Sequence, residues 1–245
     1  PYNPTVNIVP ERIDLTDVLL RPTDTGPRLF EIDSESLRVV MGLDGQIGTA
    51  TQWEIAYLET QSEVNNLSTN LIRVDLFQEA LNASGADALN PFASGPGENN
   101  NEAIYNRITT DDIRYGKREF NQFSGGISTE LFELRAGKVL GYLGGEYREE
   151  SMVRNQSDLA ENFLLFGSGG TSAKGDRDIN AIYGELAIPL TPWLESHFAL
   201  RREEYSDFGK SVNPKIGLNF QPSSKLLVCA SYAEGFQAPS LEQAF

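Results

Sequence analysis

The chain has 245 residues, 40% of them hydrophobic, a formal net charge of −15, one cysteine and one histidine. An acidic balance without a Lys/Arg cluster argues against a nucleic-acid partner. A single cysteine excludes an internal disulfide framework and a multi-cysteine metal site. No apolar run reaches the ~18 residues of a transmembrane helix, but barrel strands need only about 9 to 11 alternating residues, so a mean hydropathy of −0.33 says nothing against a membrane barrel.

Residues 1–27 hold Pro1, Pro4, Pro10, Pro22 and Pro27, which break regular structure and predict an irregular loop. The sequence opens at Pro1 without an initiator Met, a basic n-region or an apolar h-region, so a processed chain or a fragment is expected. A strand is predicted from about Arg28 to Ile47, with Leu37, Val39, Met41 and Leu43 on one face and Arg38, Val40 and Gly42 on the other. After the turn at Gly48–Thr51, Trp53, Ile55 and Tyr57 form the outer face of the next strand, with Trp53 at the level of an interfacial aromatic girdle. Residues 65–111 are a long polar stretch around NPFASGPGENNN, within which Leu71, Val74, Phe77 and Leu81 predict a short helix, capped by Thr69 or Asn70 and stopped at Gly85.

Alternation returns from Ile113 to Leu134, where Phe123, Gly125, Ile127, Thr129 and Leu131 oppose Gln122, Ser124, Gly126, Ser128 and Glu130. After a turn at Arg135–Lys138, Val139, Gly141, Leu143, Gly145 and Tyr147 alternate with Leu140, Tyr142, Gly144, Glu146 and Arg148. A second polar loop spans about 155–175. Two further outer faces follow, Ile182, Gly184, Leu186, Ile188 and then Leu194, Ser196, Phe198, Leu200, around a turn near Pro189–Pro192. The last pair is a hairpin. Pro214, Ile216, Leu218 and Phe220 face one way and Asn213, Lys215, Gly217 and Asn219 the other; beyond Gln221–Ser224, Leu226, Val228, Ala230 and Tyr232 alternate with Leu227, Cys229, Ser231 and Ala233.

This makes an all-β chain of about eight antiparallel strands. Connections alternate between short (48–51, 135–138, 190–192, 221–224) and longer (65–111, 155–175, about 206–210), the asymmetry of an outer-membrane barrel with short periplasmic turns and long extracellular loops. Gly235–Phe245 is then expected to begin an outward loop, with Phe245 expected to be a cut end beyond which the barrel should continue.

Chemical motifs are sparse. GSGGTSAKG at 167–175 lacks phosphate-loop spacing and reads as a flexible loop. Asp176 with Asp178, and Asp111 with Asp112, lack a complete calcium loop. Glu203 and Glu204 point to opposite faces of a strand and cannot share a glycosidase site. His197 sits mid-strand with no nucleophile beside it and reads as a wall residue, and the Asn-x-Ser matches at Asn66, Asn82 and Asn155 carry weight only in a eukaryotic secretory setting. No cofactor is expected. The informative charges share the inner parity: Arg38, Glu54, Glu130, Glu146, Arg148, Glu185, Glu195, Arg201 and Glu203. A charge facing lipid is costly, so these should face the lumen and pair across strands, with Glu146 and Arg148 near Arg201 and Glu185.

NPKIGLNFQP, LLVCASYAEGF and QAPSLEQ, with GPRLFEIDSESLRVVMGLDGQIG, GISTELFELRAGKVLGYLGGEYREES and IYGELAIPLTPWLESHFALRREEYSDFG upstream, resemble the barrel of TonB-dependent outer-membrane receptors in wording and order. That family often has Arg where Cys229 stands, and Phe-Arg-Ala-Pro where this chain has Phe236-Gln237-Ala238-Pro239; both departures remove a positive charge. The resemblance implies that residues 1–245 are part of a barrel of about 22 strands, with the plug domain, the TonB box and the remaining strands outside the chain. It implies a Gram-negative outer-membrane location among lipid and lipopolysaccharide, contact with the TonB–ExbB–ExbD complex through the plug, and energised uptake of a ferric siderophore, haem, cobalamin or oligosaccharide. The inner charges would then meet the plug or a passing ligand. A passive porin or adhesin barrel, and a soluble all-β carbohydrate-active domain, are the alternative classes.

Overall fold

Alternating polar and apolar side chains suit a sheet with two different faces, and the computed structural model, which describes residues 25–91, 100 and 102–244, is one eight-stranded antiparallel sheet. Its strands are β1 (Leu29–Ile47), β2 (Thr51–Ile72), β3 (Thr109–Leu134), β4 (Gly137–Asn155), β5 (Ala173–Thr191), β6 (Leu194–Tyr205), β7 (Gly209–Ser223) and β8 (Leu226–Ala233). They neighbour one another in strict sequence order, so among the described residues β1 and β8 each have one hydrogen-bonded neighbour. The proline-rich start up to residue 24, most of NPFASGPGENNN (92–99 and 101) and Phe245 lie outside the described residues.

The cross-strand register carries the parity of β5 to β8. Leu186 pairs with Phe198, Phe198 with Ile216 and Ile216 with Tyr232, so one face is a continuous apolar surface. On the other face Glu185 pairs with Ala199, Ala199 with Lys215 and Lys215 with Ala233. Leu200, Ile216, Val228 and Tyr232 are all exposed on the apolar face, which a soluble sheet would have to cover. No helix among the described residues is long and apolar enough to cross a membrane. At the short-turn end Trp193 meets Phe220 edge-on at 5.4 Å, and Trp53 lies over Gly45, so aromatics sit where an interfacial girdle requires them.

The chain divides into two compact units. One, which includes Val64–Gly116 and Arg154–Ser172, is a loop unit with its own small cores. Helix α1 (Val74–Asn82) and helix α2 (Glu102–Ile108) bury Ala80, Leu89, Ile104 and Ile108 together; Leu71 packs with Ala160 and Leu165 beside the short α3 (Asp158–Glu161). The expected helix exists but starts later than its periodicity suggests: β2 runs on through Leu71 to Ile72, Arg73 rather than Thr69 or Asn70 is the cap residue, and Gly85 opens a 3-10 turn. Leu71 belongs to the strand because its side chain is buried against α3, a contact its local sequence does not record. Arg73 hydrogen-bonds Asp75 in the first turn of α1, which holds the Asp75 carboxyl down to about 2. The polar loop at 155–175 is also ordered: the Ser157 hydroxyl accepts from the Ala160 N–H to cap α3, and β5 begins at Ala173.

The other unit comprises Glu35–Glu63, Lys117–Val153 and the chain from Ala173 onward. Here the segment after β8 differs from expectation. Rather than leading outward, it returns across the polar face: Phe236 packs on Tyr205 at 5.8 Å, helix α4 (Leu241–Ala244) lies against β5, and Glu242 reaches Arg118 of β3 at 3.6 Å. On β5 the polar-face residues Arg177, Ile179 and Ala181 are buried while their outward neighbours are exposed.

Candidate functional site on the inner wall

Four of the nine inner-parity charges form one cluster on β4 and β6. Arg148 lies 2.6 Å from Glu146 and 2.9 Å from Glu203; Arg201 lies 2.8 Å from Glu203 and 3.3 Å from Glu146. Two carboxylates and two guanidiniums thus close a neutral ring. Period-2 geometry brings them together: Glu146 and Arg148 are two apart on β4, Arg201 and Glu203 two apart on β6, so each pair shares a face. Glu203 is buried and also accepts from the Tyr205 hydroxyl at 2.8 Å. Charge-assisted bonds from three donors offset its desolvation.

Glu185 does not join the ring. Register places Tyr183, not Glu185, opposite Arg201, and the Arg201 guanidinium lies 5.0 Å from the centre of the Tyr183 ring. Glu185 stands one inward position further along, opposite Ala199, where it lines a cavity of about 460 Å³ with Tyr142, His197, Lys215, Asn219 and Cys229. His197 of that cavity has its Nε2 3.0 Å from the Asn219 amide and 2.7 Å from Glu195, two residues back on β6, so polar neighbours hold the ring. Glu54 accepts from the Tyr142 hydroxyl at 3.0 Å, and Glu130 lies 2.6 Å from Lys138. Arg38 is exposed and apart from the cluster.

Composition and spacing did not point to two further features. Tyr142 and Tyr183 stack on the inner wall with centroids 5.9 Å apart, and they fit only because Gly126 and Gly144 lie beneath them. A Cβ at Gly126 would come 2.0 Å from the Tyr142 hydroxyl, and one at Gly144 would come 2.5 Å from the Tyr183 ring. The inward position of both glycines was legible; their role as seats for rings was not. The second feature is Arg177, almost fully buried, which donates to both Asp207 oxygens at 2.7–2.9 Å and lies 5.7 Å from the centre of the Tyr205 ring. Arg177 of β5 holds the carboxyl of Asp207, in the β6–β7 connection, below its usual range. Asp111 and Asp112 do not converge on a cation: Asp111 accepts from the Asn70 N–H, while buried Asp112 takes Arg114 and the Ser157 hydroxyl. Among the described residues no cluster of His, Cys, Asp and Glu could hold a metal ion.

An antiparallel meander with an apolar outer face, a charged and tyrosine-lined inner face, and alternating short and long connections defines an outer-membrane β-barrel wall. Residues 7–245 match the model of the TonB-dependent receptor-like β-barrel family, and the chain belongs to that family. Over 108 residues it is 32% identical to the ferric enterobactin receptor PirA of Pseudomonas aeruginosa, a match covering 41% of this chain and 14% of that protein's length. Solved structures with the same fold include the RagAB peptide transporter (TM-score 0.52, 13% identity, 79% of this chain and 20% of that one). The siderophore receptor PirA from Pseudomonas aeruginosa is also similar (TM-score 0.45, 18% identity, 85% and 34%). TonB-dependent receptors are transport proteins of the Gram-negative outer membrane and not enzymes.

Proposed function

We propose that these eight strands are part of a larger barrel, of about 22 strands, that imports a scarce ligand across the outer membrane, with a ferric siderophore foremost. The observation that carries this reading is the family match over nearly the whole chain, joined to a stretch 32% identical to a ferric enterobactin receptor. Two features support a larger barrel: β1 and β8 each have one neighbour among the described residues, and an open edge would be a liability in lipid. On this reading the plug packs inside the wall and TonB–ExbB–ExbD supplies the energy. The ring of Glu146, Arg148, Arg201 and Glu203 serves the wall itself, since its charges are already satisfied. The open cavity around Glu185 and His197, together with Arg38, Glu54, Glu130 and Glu195, faces the plug or the passing ligand. The test is growth under iron limitation with ferric enterobactin as the iron source, in strains with and without the gene and with and without TonB. Uptake should need both; uptake that persists without TonB would overturn energised import in favour of a passive pore.

A further inference from the structure

Strand pairing stops at Ala233, and one more backbone bond, from the Glu234 N–H to the Pro214 carbonyl at 3.0 Å, ties the chain to β7. From there the chain crosses the polar face to Arg118 of β3, four strands away at ~4.8 Å each, or ~19 Å. Its contacts along the way are few. Phe236 sits between Tyr205 and Phe208, with ring centres 5.8 and 5.5 Å away, and still keeps 38% of its surface exposed. Helix α4 rests on β5 without burying a residue of its own. At the far end Glu242 meets Arg118 at 3.6 Å with side chains 38% and 69% exposed, the kind of surface ion pair that water and salt weaken. The turn itself is self-contained: the Ser240 N–H donates to Gln243 Oε1 at 3.1 Å and the Gln243 N–H to the Ser240 carbonyl at 2.9 Å, in the Ser-x-x-Gln order of a capping box. A segment that keeps its own shape and is lightly held can leave the wall as one piece.

Where it lies matters as much as how it is held. Tyr205 pairs with Ile179, six residues along β5 from Glu185, or ~20 Å of strand. The segment thus crosses at the level of Tyr205 and Phe208, on the long-connection side of the cavity around Glu185 and His197. Anything that travels down this wall toward the cavity meets it first.

We propose that residues 234–244 are a displaceable strap: Phe236 fills the notch between Tyr205 and Phe208 in the closed state, and an incoming ligand opens the strap by putting an aromatic ring of its own into that notch. The class of ligand follows from what the movement uncovers. Lifting Phe236 bares two aromatic side chains that pack edge-on or tilted against a third ring. A ligand shifts such an equilibrium only by binding the open form better, and the vacated notch supplies that difference. The inference rests on the import reading above. Its test uses the receptor carrying these strands, in cells, with Cys229→Ser to remove the free thiol and Arg118→Cys/Glu242→Cys to place two new ones. The pair is tied with a two-ended thiosulfonate reagent, and uptake of iron-labelled ferric enterobactin, whose catechols supply the ring, is followed. The tie should lower uptake at least about tenfold and reduction should restore it, whereas a one-ended reagent, which adds bulk without the tie, should leave it within about twofold. A spin label on Gln237→Cys should pass from restricted to mobile when ferric enterobactin is added, and Phe236→Ala should make it mobile without ligand. Uptake unchanged by the tie, a label that ligand does not mobilise, or a pair that cannot be tied at all overturns the strap while the import reading stands. Absence of TonB-dependent uptake by the wild type overturns the import reading and the strap with it.

Discussion

Replacing Glu203 by Gln keeps its size and removes its charge. The ring of Glu146, Arg148, Arg201 and Glu203 then passes from neutral to +1, with two guanidiniums facing one carboxylate. Glu203 is 6% exposed and takes Arg148, Arg201 and the Tyr205 hydroxyl, so three charge-assisted bonds weaken together. Removing one partner of a buried ion pair costs about 3–5 kcal/mol. Because Arg201 is about one-third exposed and water can reach it, the lower end, about 3 kcal/mol, is expected here. Adjacent Glu204 is the internal control. It points to the opposite face of the sheet, is about half exposed and meets Lys210 at 3.2 Å, so Glu204→Gln should stay within about 0.5–1 kcal/mol. The assay is urea unfolding of the receptor in lipid vesicles. Pairing Glu203→Gln with Arg148→Met should restore neutrality and cost less than the sum of the single changes by about 1–3 kcal/mol. A Glu203→Gln effect no larger than that of Glu204→Gln would refute the argument that the ring ties β4 to β6.

Three further outcomes are expected. Gly126→Val and Gly144→Ala should each destabilise the wall by about 1–3 kcal/mol by displacing Tyr142 or Tyr183, whereas Gly116→Ala, whose Cβ meets nothing within 4 Å, should be tolerated; thermal unfolding ranks them. Asp207 is lowered in the folded state by Arg177, so its contribution is fully present above the unfolded carboxylate value of about 3.9 and fades as pH falls through the folded one. Hydrogen exchange at the Ser206–Phe208 connection should therefore rise on acidification in the wild type, and Asp207→Asn should be equally open at neutral pH. The isolated 245-residue chain should aggregate without detergent, because its apolar face is exposed and, among the described residues, β1 and β8 each have one neighbour; a monodisperse detergent-free solution by light scattering would contradict the membrane reading.

Much of the wall was legible in the chain because strand parity is local. Glu54, Glu130, Glu146, Arg148, Arg201 and Glu203 could be assigned one face by counting in twos, and the partners each finds belong to that face. Where two periodicities overlapped, reading failed: Leu71 fits the helical spacing of Val74, Phe77 and Leu81, yet it ends β2 because α3 and Leu165 bury it. Helix α2 is only seven residues long, too short to announce itself in a polar stretch.

Alternation by itself determined the strand count and which residues share a face, and the wording of segments such as NPKIGLNFQP carried the family resemblance, since each depends on neighbours in sequence. Cross-strand register decided the rest. One inward position separates Tyr183, which meets Arg201, from Glu185, which is left in the open cavity, and that offset depends on how β5 slides against β6. The fold of residues 234–244 back over β5 and the seating of two tyrosines on glycines of neighbouring strands likewise depend on distances between residues far apart in the chain.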